Sequence, residues 1–178
     1  YDNHEMPECA ATCVLSERTW TYWADSPRTG FVGGYAESGN KSWEVPGQMP
    51  AIDADVLVIM LGTNDVTAGS PASVLLTQLD SIIATAQERH VLIAAIAPQE
   101  LDPQAAVNIN VALSDYARTH KYSFVDPWLD VRDGIHWAAG ISGDGIHPLD
   151  AATFQLAGAR IAAAIIATQD RTILLSAK

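Results

Sequence analysis

Asp55-Val-Leu-Val-Ile-Met-Leu61 holds six apolar residues in an unbroken row and runs straight into Gly62-Thr-Asn-Asp65. A run this uniformly apolar suits a strand covered on both faces, because a strand with one wet face alternates. His90-Val-Leu-Ile-Ala-Ala-Ile-Ala97 has the same character. Between them Ser70-Pro71 reads as a helix cap followed by proline at the first helical position, where its missing N–H does no harm. Leu75, Leu79, Ile82, Ile83 and Ala86 then repeat at helical spacing. A buried strand, a helix and a second buried strand make a parallel unit.

The rest of the chain extends this alternation. Phe31–Ala36 and Tyr122–Val125 read as two further strands. Ser16 can cap a helix reaching about Ala24, with Trp20 and Trp23 facing inward. Asp102-Pro103 repeats the cap-and-proline signal and opens a helix to about His120. A last helix spans about Asp150 to Thr168, with Phe154, Leu156, Ile161 and Ile165 available for its buried face. Strands alternating with helices through short connections predict an α/β fold, a parallel sheet sandwiched by helices. The length of 178 residues fits a single domain, 1–178.

Composition narrows the function. Hydrophobic residues make up 48% of the chain and charged residues 17%, which excludes a disordered chain. Ten Lys and Arg against 21 Asp and Glu give a net charge of −11. Nucleic acid and anionic membranes need a basic footprint, so neither is expected as the main partner. The uninterrupted apolar stretches near 56–63 and 91–98 fall far short of the roughly 20 residues of a membrane span. Cys9 and Cys13 can close a small disulfide or remain two free thiols. The disulfide, the reading adopted, implies an oxidising and secreted setting. With His4 they supply three ligands, one short of a structural metal site, so a metal or cysteine enzyme is the remotest of the function classes considered.

Three short motifs fall where strands end and helices begin, the place where open α/β sheets bind ligands. They are Gly34-Tyr-Ala-Glu-Ser-Gly-Asn-Lys-Ser42, Gly62-Thr-Asn-Asp65 and Asp144-Gly-Ile-His-Pro148. Asp144 and His147 are three apart, so the carboxylate can accept the imidazole Nδ1–H and leave Nε2 to act as a general base. Gly39 has no side chain to keep its N–H away from a substrate oxygen. Asn64 offers an amide NH₂ at the end of a buried strand. Two such donors make an oxyanion hole. Each motif alone is a common turn or surface pair; the three together describe acyl transfer by a serine nucleophile.

At these residues the chain resembles the SGNH (GDSL-type) hydrolases, a family of esterases, lipases, thioesterases and carbohydrate deacetylases. The likeness runs from about Trp20 to Thr168. Gly39 matches the family's second block, Gly62, Asn64 and Asp65 the third, and Asp144, His147 and Pro148 the fifth. The resemblance implies a flavodoxin-like three-layer α/β/α sandwich around a five-stranded parallel sheet. It also implies a two-step ester hydrolysis, with Asp144 and His147 catalytic and Gly39 and Asn64 in the oxyanion hole. No metal or organic cofactor is implied. The substrate would be a small-molecule, carbohydrate or lipid ester. Asp133-Gly-Ile-His136 copies the fifth block eleven residues early, but Trp137 follows in place of proline and no amphipathic helix starts there.

The family's first block, Gly-Asp-Ser at the end of the first strand, does not occur in residues 1–178. Either Tyr1-Asp2-Asn3 is a degenerate first block with Asn3 in the serine's place, or the serine lies upstream of Tyr1. Ser16, Ser26, Ser38 and Ser42 are poor substitutes. A catalytically inactive module that binds an acylated carbohydrate or lipid in the same cleft is therefore the second function class. Two expectations complete the reading. The tail Thr172-Ile-Leu-Leu175 either enters the sheet as the missing central strand or packs on the surface. Short loops suggest an open cleft for short acyl groups such as acetyl, with Trp43 and Trp137 either stacking on a sugar ring or packing in the core and rim.

Overall fold

The computed structural model describes residues 9–10, 16–51, 53–86 and 90–176. Its centre is a parallel sheet of three strands, numbered here with the remaining elements in chain order. A two-residue strand β1 (Cys9–Ala10) comes first, then α1 (Trp20–Ala24) and β2 (Gly33–Gly34). The sheet strands are β3 (Val56–Ile59), β4 (His90–Ala94) and β5 (Ser123–Val125), in the order β3-β4-β5. Val56 pairs with His90 and Ile59 with Ile93; Leu92 pairs with Ser123 and Ala94 with Val125. Between β3 and β4 lie the short α2 (Thr63–Thr67) and α3 (Ala72–Ala86); α4 (Pro103–His120) joins β4 to β5. A hairpin of β6 (Arg132–Asp133) and β7 (His136–Trp137) precedes α5 (Ala151–Ser176).

Period-two alternation in β4 explains the layering. Val91 and Ile93 point into a core with Leu75, Leu79 and Ile82 of α3 and Ile109 and Leu113 of α4. Leu92 points the other way, against Ala24 of α1 and Ile161 of α5, with Val56, Val58 and Val125 beside it. Both faces are covered, which is why the strand reads as apolar throughout. Two helices on each face of a parallel sheet give the α/β sandwich expected from the sequence.

Helix starts follow their caps. The Asp102 carboxylate accepts the Ala105 N–H at 2.9 Å, with Pro103 in the first turn. That helix ends where Lys121 turns left-handed at φ +62°. Asp150 accepts both the N–H and the hydroxyl of Thr153, at 2.9 and 2.8 Å, to open α5. The first helix starts later than expected. Thr19 rather than Ser16 caps it, and Ser16 instead closes the turn before it by accepting the Thr19 N–H at 3.0 Å.

Four expectations are corrected. Phe31–Ala36 is not a strand of the parallel sheet. Only Gly33–Gly34 is extended, and it pairs antiparallel with Cys9–Ala10. Adjacent glycines bring no side chains to pack on a sheet face, so the run cannot compete for a central place. The five-stranded sheet is accordingly three parallel strands among the described residues. The tail Thr172–Leu175 is not a strand but the last turns of α5. No Gly or Pro interrupts Ala162–Ser176, so nothing local stops the helix. Leu156, expected on the buried face of that helix, is 47% exposed. It sits two residues from Phe154, off the stripe of Phe154, Ala157 and Ile161 that packs inward. Ala151–Asp170 also has the length and mean hydropathy, 1.4, of a membrane span. Here that stretch seats its apolar stripe against α1 and the sheet. The Cys9–Cys13 pairing falls on Cys13, which lies outside the described residues, as do His4 and Tyr1–Asn3.

Candidate active site

The site grows from the carboxyl end of β3. Past that strand the chain reaches Gly62, whose φ is +126°. A Cβ there would lie 3.0 Å from Leu75 Cδ2 and 3.2 Å from Ile109 Cγ2, so the core closes against bare backbone. Helix α2 starts at once, and its first turn carries Asn64 and Asp65 in opposite roles. Asp65 points inward with no exposed surface. Its carboxylate accepts the Ser42 N–H at 3.0 Å and the Ser42 hydroxyl at 2.6 Å. Buried hydrogen bonds of this kind contribute on the order of 0.5–1.5 kcal/mol each. They pin the 3₁₀ turn Ser42–Glu44 to α2. Ser42 is thereby spent as a structural hydroxyl, buried and out of reach of substrate.

Asn64 points toward the loop that precedes that turn. Its Nδ2 donates to the Asn40 carbonyl at 2.8 Å. This bond decides the orientation of the amide, since a flipped amide would set oxygen against oxygen. One of the two amide hydrogens is used, and the side chain is held beside Gly39. The loop itself is tied by Asn40 Nδ2, which donates to Tyr35 Oη at 2.7 Å and to Gln48 Oε1 at 3.1 Å.

The third motif forms a tight turn. Asp144 Oδ1 accepts the N–H of Ile146 at 2.8 Å and of His147 at 2.7 Å. Asp144 Oδ2 lies 2.7 Å from His147 Nδ1. Burial pushes the Asp144 carboxyl up, but the hydrogen bonds from the His147 N–H and ring and from the Ile146 N–H outweigh it. The carboxyl is held well below the usual range. Its ionised form therefore persists to strongly acidic pH.

These pieces meet in one cleft of about 900 Å³, which runs beside β3 and is lined by Gly39, Asn64 and His147 together. Val56, Val58, Trp20 and Phe31 form its apolar wall. Val56, Leu57 and Val58 are only half-buried, whereas Val91–Ala94 of β4 are fully buried. Among the described residues no strand pairs with the outer edge of β3.

Other candidates fall away from the cleft. Trp137 is buried and edge-on to Trp128 at 5.9 Å, so it packs rather than offering a face to a sugar. Trp43 is exposed but does not line the cleft. Among the described residues no three His, Cys, Asp or Glu side chains cluster as a metal site would require. The sequence alone assigns Asp65 no role of its own and does not single out Asn40. Asp65 acts through Ser42, 23 residues away, and the Asn40 carbonyl through Asn64, 24 residues away. The signal that could have flagged Asp65 is a carboxylate placed next to Asn64 at the head of a buried helix turn.

Comparison with known proteins bears on the family and the fold. The model of the GDSL-like Lipase/Acylhydrolase family matches residues 10–152. Comparison with curated proteins gives no match. Among solved structures the chain is similar to a member of the lipolytic protein G-D-S-L family from Veillonella parvula. That pair shares 21% identity and a TM-score of 0.65 over 83% of this chain and 87% of the other. It is similar to the native M. smegmatis aryl esterase at 14% identity and a TM-score of 0.58, over 90% and 92% of the two chains. An acetyl esterase mutant with an acetate ion shares 19% identity and a TM-score of 0.57, over 74% and 69%. With a family model spanning most of its length, the chain belongs to the GDSL-like lipase/acylhydrolase family.

Proposed function

We propose that the protein is a serine esterase that removes short acyl groups, such as acetyl, through an acyl-enzyme. One observation carries the proposal: an imidazole oriented at 2.7 Å by an ionised carboxylate shares one cleft with Gly39 and Asn64. In this reading His147 Nε2 takes the proton of a serine hydroxyl, whose oxygen attacks the ester carbonyl. The Gly39 N–H, the second Asn64 amide hydrogen and the serine's own N–H receive the negative charge that develops on oxygen. The imidazolium then gives its proton to the departing alcohol. Water, deprotonated by the same imidazole, releases the carboxylic acid and restores the serine. Asp144 keeps the ring in one tautomer throughout.

Of the four serines considered, only Ser38 lines the cleft, and it flanks Gly39 on an exposed loop rather than standing at the carboxyl end of a strand. Ser42 is bonded to Asp65, and Ser26 shares a hydrogen bond with Thr29 at 2.7 Å. Two sources stand: Asn3 occupies the serine's place, or a serine precedes Tyr1. An Asn amide cannot form an acyl-enzyme, so we favour the second. We place that serine at the end of an extended segment lying along the open edge of β3, where the cleft leads to His147. Short acyl groups suit an open cleft, and an acetyl esterase that shares the fold supports that preference. A secreted setting belongs to the same reading and stands on the two cysteines.

The lack of Gly-Asp-Ser in residues 1–178 also favours a second reading, a non-catalytic module for acylated carbohydrate or lipid. Full-length protein assayed on nitrophenyl acetate, with and without a serine-reactive phosphonate, separates the two. Esterase activity lost on labelling of a single serine is the expected result. Asn64→Ala should then lower kcat by on the order of 10²–10³-fold. A protein that hydrolyses nothing, takes no label and still binds an acetylated sugar would overturn the proposal in favour of the binding module.

A further inference from the structure

The segment leaving β4 is anchored at each step. Ala95 N–H donates to the Val125 carbonyl at 2.9 Å, and the Trp128 indole donates to the Ala95 carbonyl at 3.0 Å. The Asn110 side chain closes two bonds with the Ile96 backbone, at 2.8 and 3.0 Å. Glu100 stands at the end of this stretch and faces two ways. Its Oε2 lies 2.8 Å from His136 Nδ1, and its Oε1 accepts the Trp137 N–H at 2.9 Å, so its carboxylate grips strand β7 of the hairpin. Its own N–H donates to the Gly145 carbonyl at 2.9 Å. The Trp137 indole reaches the same carbonyl at 3.3 Å.

That carbonyl belongs to the peptide unit joining Gly145 to Ile146. A trans peptide is planar, with its C=O and N–H pointing in opposite directions. Holding the C=O from one side therefore aims the Ile146 N–H, which donates to Asp144 Oδ1 at 2.8 Å. Gly145 makes the approach possible. Its φ is +76°, and a Cβ there would lie 2.7 Å from Glu100 Cβ.

The geometry points to Glu100 as a positioning residue for the Asp144–His147 pair, acting through the Gly145–Ile146 peptide and braced by His136 and Trp137. The inference deepens the ester-hydrolase reading and rests on it for the meaning of the pair. The Glu100 N–H is the donor to the Gly145 carbonyl, and its carboxylate is the acceptor that braces this contact against the hairpin. The hydrogen bond from His136, then that from the Trp137 N–H, holds its carboxyl below the usual range against the pull of burial. The early Asp-Gly-Ile-His copy thus serves the later one: its histidine is gripped by Glu100, and its neighbour Trp137 helps hold the loop.

The test compares Glu100→Ala, Glu100→Gln and the exposed control Asp133→Asn in the full-length protein. NMR reads solvent exchange of the Ile146 amide and the His147 Nδ1–H, and steady-state kinetics on nitrophenyl acetate reads kcat and KM separately. Glu100→Ala should raise both exchange rates about tenfold and lower kcat about tenfold, with KM within about twofold, the signature of a misoriented base rather than a lost binding contact. Glu100→Gln keeps an oxygen for the Trp137 N–H and should fall between, which also covers the case in which the alanine variant fails to fold. Asp133→Asn should change none of these readings. Unchanged exchange at His147 in the Glu100 variants, or a lower melting temperature with kcat intact, would overturn the inference. Wild-type protein that hydrolyses no ester, yet shows the exchange response in the variants, would refute the esterase reading and leave the positioning role standing.

Discussion

Asp-Gly-Ile-His is written twice, at 133–136 and 144–147, and the two copies fold differently. The first straddles a hairpin: Asp133 ends β6, His136 begins β7, and the two face each other across the ladder. The second is a turn wound on its own carboxylate, with Asp144 accepting from Ile146, His147 and the His147 ring. In the first copy the histidine takes its carboxylate from Glu100, 36 residues away, rather than from its own aspartate. Four identical residues therefore give an acid–imidazole pair of nearly the same length, 2.8 and 2.7 Å, by two routes. Only the second stands in the cleft with Gly39 and Asn64. Chemistry follows the place of a motif in the fold and the residue after it: Pro148 leads the second copy into a helix, Trp137 locks the first into the hairpin.

The largest expected effect separates the histidines. His147→Ala should lower kcat/KM on nitrophenyl acetate by about 10²–10⁴-fold, the usual worth of a general base. His136→Ala should cost about tenfold at most, because it loosens only one arm of the brace. Equal losses would erase the distinction. The glycines come next. Gly145→Ala combines a left-handed φ with a 2.7 Å clash and should destabilise by roughly 2–4 kcal/mol. Gly134→Ala meets nothing within 4 Å at φ +61° and should cost only the strain, about 1–2 kcal/mol. Denaturant melts of the two variants measure the gap.

The smallest effect lies in the aspartates' pH dependence. Asp144 has a depressed folded pKa, so its contribution to stability is fully present above about pH 4, the unfolded value. It is lost only as pH falls through the folded value. Asp144→Asn should therefore lower the melting temperature by a few degrees at pH 5–7, with the difference from wild type shrinking in strong acid. Melts of the wild type and Asp144→Asn from pH 7 down into strong acid check this, and a difference that does not shrink would break the assignment of Asp144 as the ionised partner.

How much was legible follows from the range of the forces. The buried strands at 56–59 and 90–94 and the caps of α4 and α5 were readable because they depend on a residue's own neighbours, a few positions away. Asp144 and His147, three apart, fall in the same class. The hairpin grip of Glu100 and the Ser42–Asp65 bond, 36 and 23 residues apart, were not. No local pattern marks a carboxylate that finds its donor only after the sheet forms. Phe31–Ala36 misled because aromatic and β-branched residues flank its two glycines, and strand propensity cannot weigh the missing packing at the centre. The tail misled because Thr172-Ile-Leu-Leu175 suits either element, and the uninterrupted helix before it decided the outcome.

The bond between Asn64 Nδ2 and the Asn40 carbonyl has a consequence for selectivity. A tethered amide cannot rotate to offer its oxygen to whatever enters, so this wall of the cleft presents a hydrogen and never a lone pair from the anchored nitrogen. In the esterase reading proposed above, an ester carbonyl or a carboxylate, bringing lone pairs, would be received at this nitrogen, and an ammonium, with only hydrogens to give, would not. A swivelling asparagine would have served either visitor, and would have had to be reoriented at every turnover.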